Sequence, residues 1–112
     1  MEPKVYTMKI KQGADFNLEM QMLDDNDNPI DLSNYTWKGQ IRERPESGLA
    51  YDFTIYTVPS QGRVSLYMPA ELTEKIMFHD GKYDLFYTDT ITGQRECLIH
   101  GDVDVTWKVT EL

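Results

Sequence analysis

Apolar and polar residues take turns along most of this chain, and the clearest case is the closing segment RECLIHGDVDVTWKVT. Cys97, Ile99, Val103, Val105, Trp107 and Val109 are its apolar members, with Glu96, Asp102, Asp104, Thr106 and Lys108 between them. Successive side chains of a strand point to opposite faces, so a period of two demands one side on a core and the other in water. Gly101 interrupts the run and reads as a β-bulge. The apolar set stays on odd positions on both sides of it, so an extra residue there must be absorbed by local bending rather than by a change of face. On this reading Cys97 is a small apolar residue turned inward, and Trp107 lies in the core near Phe16, Leu18, Ile41 and Tyr83.

The same period recurs upstream. VYTMKI places Tyr6, Met8 and Ile10 on one face, and DFNLEMQML places Phe16, Leu18, Met20 and Met22 opposite Asn17, Glu19 and Gln21. TWKGQIR alternates Trp37, Gly39 and Ile41 with Lys38, Gln40 and Arg42. LAYDFTIYTV, the turn PSQG and RVSLYM, with Val64, Leu66 and Met68 on one side, read as a hairpin. KYDLFYTD aligns Tyr83, Leu85 and Tyr87. Only PAELTEKIMFHDG has helical spacing, through Leu72, Ile76 and Met77; Pro69 suits its first turn, and its length allows one or two turns. Seven or eight strands with one short helical turn make an all-β antiparallel sandwich or barrel. No linker, repeat or low-complexity tract divides the chain, so residues 1–112 are expected to form a single domain. A chain of this length buries about two thirds of the surface its unfolded form exposes.

Charge narrows the list of partners. The net charge is −8, and residues 13–35 hold Asp15, Glu19, Asp24, Asp25, Asp27 and Asp31 without a Lys or Arg. Such a surface repels phosphates, so nucleic acid is not an expected partner. No window approaches the ~18 apolar residues of a membrane span, and the opening MEPKVYTMKIKQGADF lacks the apolar core of a signal peptide. No membrane association and no general secretion are therefore expected. The single cysteine excludes an intramolecular disulfide and suits a reducing compartment.

Sites for chemistry are sparse. The acidic loop 24–31, DDNDNPID, is rich in hard oxygen ligands, but a calcium-loop register begun at Asp24 puts Pro29 in the glycine position and Tyr35 in that of the bidentate Glu. Asp, Asn and Pro in that loop serve turn geometry equally well. His79 and His100 have no metal-ligand spacing. No G-x-S-x-G elbow, P-loop or G-x-G-x-x-G is present, and Cys97 sits within a strand rather than at an activating helix start. Asp102 and Asp104 share a solvated strand face. The expectation is a non-enzyme without catalytic, cofactor-binding or metal residues. Two aromatics, Tyr56 and Phe86, fall opposite the core rows and are candidates for a contact surface. Residues 1–11 carry Lys4, Lys9 and Lys11 against Glu2, a net +2, so this opening strand is electrostatically suited to the acidic loop 24–31 of a neighbouring copy or partner.

The order of four segments, GADFNLEMQMLDDNDNPIDLSNYTWKGQIR, GRVSLYMPAELTEKI, GKYDLFYTD and LIHGDVDVTWKVT, resembles the small immunoglobulin-like β-sandwich domains of tailed-phage virion proteins. These include the N-terminal domain of upper baseplate proteins and related tail or fibre-attachment proteins. The resemblance spans nearly the whole chain. It implies an immunoglobulin-like sandwich and a non-enzymatic structural role at the tail, baseplate, neck or fibre attachment of a virion assembled in the host cytoplasm. Its partners would be other virion proteins and further copies of itself. In the larger relatives a C-terminal region continues toward the host-facing part; with this sequence ending at Leu112, docking or decorating is the expected role. The alternative is capsid decoration or carbohydrate binding.

Overall fold

A computed structural model describes residues 3–112. Met1 and Glu2, at the head of the expected opening strand, lie outside the described residues. In chain order the elements are β1 (Lys4–Val5), β2 (Met8–Lys11), β3 (Phe16–Gln21), β4 (Tyr35–Arg42), β5 (Tyr51–Asp52), β6 (Thr54–Val58), β7 (Arg63–Met68), α1 (Ala70–Thr73), β8 (Asp80–Asp89) and β9 (Arg95–Thr106). A 3-10 turn, Pro59–Gln61, closes the β6–β7 hairpin, and Gly62 follows it in the left-handed conformation at φ 64°. The larger sheet has the order β1-β9-β8-β4-β5, with β2 also on β9, and the smaller is β3-β7-β6. Their inner faces share one core: Ile41, Leu85 and Val103 from the larger meet Leu66 and Met68 from the smaller. The all-β expectation holds.

Among the described residues, nine strands replace the expected seven or eight because two runs break. The opening run breaks at Tyr6 and Thr7. LAYDFTIYTV breaks at Phe53, whose N–H still bonds to Gly39 of the larger sheet at 3.1 Å before β6 joins β7 in the smaller. Nor is the sheet wholly antiparallel, since β1 and β2 both run parallel to β9.

Two expectations about β9 are corrected. Its ladder to β8 slips between Leu85, opposite Ile99, and Phe86, opposite Cys97, so the bulge residue is Leu98 and not Gly101. Leu98 and Ile99 both pack inward, and the odd-position row changes face there. Cys97 is thus paired with outward Phe86 and is half-buried rather than a core residue. Gly101 has a different duty. A Cβ there would stand 2.3 Å from the Tyr6 carbonyl oxygen, because the opening chain runs alongside β9 in constant parallel register and sets Tyr6 against Gly101. The Tyr6 N–H bonds to His100 at 3.0 Å, and the Tyr83 hydroxyl donates to the Tyr6 carbonyl at 2.7 Å.

Trp107 is 38% exposed and not a core residue. The ladder to β8 ends at Asp104 and that to β2 at Thr106, so the alternation runs on in sequence after the sheet has stopped. Trp107 instead stacks on His79 at 4.3 Å, while Phe16, Leu18, Ile41 and Tyr83 pack in or against the core without it.

The helical turn is a single one. Pro69 is its extended N-cap rather than a first-turn residue, and the Asp15 carboxylate accepts the Ala70 N–H at 2.7 Å in the cap's place. Ile76, beyond the helix, is buried, but Met77 is 66% exposed.

Candidate functional site

Tyr56 and Phe86 do not form one surface. Tyr56 lies on the outer face of the smaller sheet and Phe86 on that of the larger, with the core between them. What accompanies Tyr56 is Tyr67. Register places Tyr56 opposite Ser65 and Thr54 opposite Tyr67, so the two rings are diagonal neighbours, 6.2 Å apart. Partial burial, then the negative charge of Asp15 beside it, pushes the Tyr67 hydroxyl up. Across the same face Arg63 pairs with Glu19 at 2.6 Å and bonds to Gln61 at 3.1 Å. Half-exposed pairs of this kind fix side-chain positions more than they stabilise. Two neighbouring phenols among polar side chains on a sheet face can make broad contacts.

One edge of the smaller sheet is β6, the strand that carries Tyr56. From Phe53 to Val58 the chain has no charge, proline or glycine, and Tyr56 and Val58 are 59% and 45% exposed.

The outer face of the larger sheet brings together residues that the sequence left apart. Asp84 stands opposite His100, and the slip at Leu98 turns Cys97 onto the same face. All three line a depression of about 580 Å³. Spacing along the chain could not have revealed this group, because it depends on the β8–β9 register and the bulge. Its electrostatics oppose nucleophilic chemistry: burial, followed by the charge of Asp84, pushes the Cys97 thiol up, and burial pushes the Asp84 carboxyl up as well. A reactive thiolate needs the reverse. Among the described residues no group of three or more His, Cys, Asp or Glu is arranged to hold a metal ion.

Two of the four carboxylates of the acidic loop 24–31 bond to nearby backbone. Asp24 accepts the N–H groups of Asn26 and Asn28 at 2.9 and 3.0 Å, and Asp31 accepts that of Ser33 at 2.9 Å. Bonds from the Ser33 hydroxyl and N–H hold the Asp31 carboxyl below its ordinary range. On the opening strand, Lys11 donates to the Trp107 carbonyl at 2.9 Å and Lys9 stands opposite Asp104. Within one molecule, Lys4 and Val5 on one side and Leu23 and Ile30 at the root of the acidic loop on the other border a groove of about 380 Å³, floored by Met20 and Leu98. Asp102 and Asp104 face outward, Asp102 paired with Lys82.

No protein-family model matches the chain, and no curated protein matches it.

Proposed function

We propose that this chain is a non-enzymatic structural protein of a tailed-phage virion, an immunoglobulin-like sandwich that docks or assembles at the tail, baseplate, neck or fibre attachment. The observation that carries the reading is the smaller sheet: a tyrosine-bearing outer face and an uncharged edge strand. Such a surface serves contact between proteins. The motifs behind the phage resemblance fit the same role, since each does structural duty. Gly62 leaves no room for a Cβ beside the Met22 carbonyl, at 2.6 Å, which ties the hairpin to the acidic loop. Mass spectrometry of purified tailed-phage particles from cells carrying the gene tests the reading. The chain is expected among the virion proteins at a stoichiometry of a ring or fibre component, and its absence from the particle would overturn it.

The Tyr56–Tyr67 pair also favours a second reading, a capsid-decorating or carbohydrate-binding module, because adjacent exposed rings stack on sugar faces. Binding on a glycan array that disappears in Tyr56→Ala would select it.

A further inference from the structure

We propose that β6 is a self-association strand: two copies pair their β6 edges antiparallel about a twofold axis at Tyr56, joining their smaller sheets into one of six strands. The inference rests on the assembling half of the function proposed above and names the surface that performs it.

An edge strand offers unpaired backbone N–H and C=O groups, and soluble proteins guard such edges with charge, proline, brevity or a bulge. Among the described residues the other edges of this fold are guarded. The β1–β2 edge carries Lys4, Lys9 and Lys11 and is broken at Tyr6 and Thr7; β5 is two residues long; β3 has Glu19 near its centre. The strand β6 has none of these devices over Thr54–Val58, and its composition, with all five residues of TIYTV β-branched or aromatic, favours strand pairing.

Charge sets the orientation in which a second copy can pair. At a net charge of −8 the chain repels itself over most of its surface, but this strand contributes nothing to that repulsion. The acidic loop is anchored at one end of β6, through Leu32 N–H to Pro59 at 3.1 Å and Met22 N–H to Gly62 at 2.8 Å. Parallel pairing would set the two loops side by side, whereas antiparallel pairing sends them to opposite ends of the joined sheet. Centred on Tyr56, antiparallel pairing also sets Ile55 against Thr57 and Thr54 against Val58 of the second copy, with inner faces continuous and the Tyr56 rings adjacent on the outside.

Light scattering after size exclusion, run over a concentration series on the full chain, tests this. The wild type is expected to show a dimer that grows with concentration. Tyr56→Lys and Tyr56→Glu, at a position that does not support the core, are expected to stay folded by circular dichroism and to be monomeric alone, because like charges then face each other across the axis. Mixed, they are expected to form a heterodimer. Amide exchange supplies the second measurement: protection within Thr54–Val58 should rise with wild-type concentration. A wild type monomeric at every concentration, or charge variants that associate as the wild type does, would overturn the proposal. A monomer would leave the virion reading intact as docking onto other proteins, and absence from the virion would leave the dimer intact.

Discussion

Gly101 is a residue at which close approach of a neighbouring strand, rather than chain bending, sets identity. Its missing side chain lets Tyr6 pass 2.3 Å from where a Cβ would be, and the contact atom is backbone that cannot swing away. Gly101→Ala is expected to cost about 1–3 kcal/mol in urea unfolding by overpacking, while Gly48→Ala, with nothing within 4 Å, should be close to neutral. The same approach is tied by the Tyr83 hydroxyl, whose pKa burial raises from 10.0 to about 12. A pKa raised on folding favours the protonated form in the native state, so this contribution is complete below pH 10.0 and is lost as pH climbs toward about 12. Burial, then its bond to Glu96, raises the Tyr87 hydroxyl in the same direction. Thermal melts over that window should show a fall in Tm, and Tyr83→Phe should flatten part of it.

At the scale of elements, the bulge in β9 decides which face a side chain takes. One extra residue, Leu98, moves Cys97 from the core row to the outer face beside Asp84 and His100. The half-buried thiol can be reached without unfolding, and it reacts slowly because burial pushes it above the ordinary thiol range. Native protein is therefore expected to be alkylated at Cys97 by a small haloacetamide, more slowly than a free thiol at the same pH. Modification that occurs only in denaturant would return Cys97 to the interior. The β5–β6 break acts in a similar way, since Phe53 ends one sheet's pairing and lets the next five residues serve as the outer strand of the other.

For the whole molecule, charge and edge oppose each other. Acidic repulsion keeps copies apart at pH 7, where the net charge is −8, and it vanishes near the isoelectric point of about 4.6. Light scattering should therefore show association rising as pH falls from 7 toward about 4.6. Tyr56→Lys should lessen the rise. An association independent of pH across that range would mean that charge does not restrain the contact.

Period-two patterning by itself determined the fold class, most strand positions, the β6–β7 hairpin and the inward rows of β3, β4 and β8, because a half-buried strand must alternate. It also exposed Tyr56 and Phe86 as outward aromatics. It failed where the pattern outlasts its partners, at Trp107, and where one residue slips the register, at Leu98. It was equally silent on Gln12. That side chain is buried, donates to the Ile76 carbonyl at 2.8 Å and accepts from Lys108 at 3.2 Å. The parallel course of β1 and β2, the gathering of Cys97 with Asp84 and His100, and the exposure of β6 as an unguarded edge were decided only by the tertiary structure. Alternation reports which side of a strand meets a core, but neighbours, register and edges come from contacts between residues far apart in the chain.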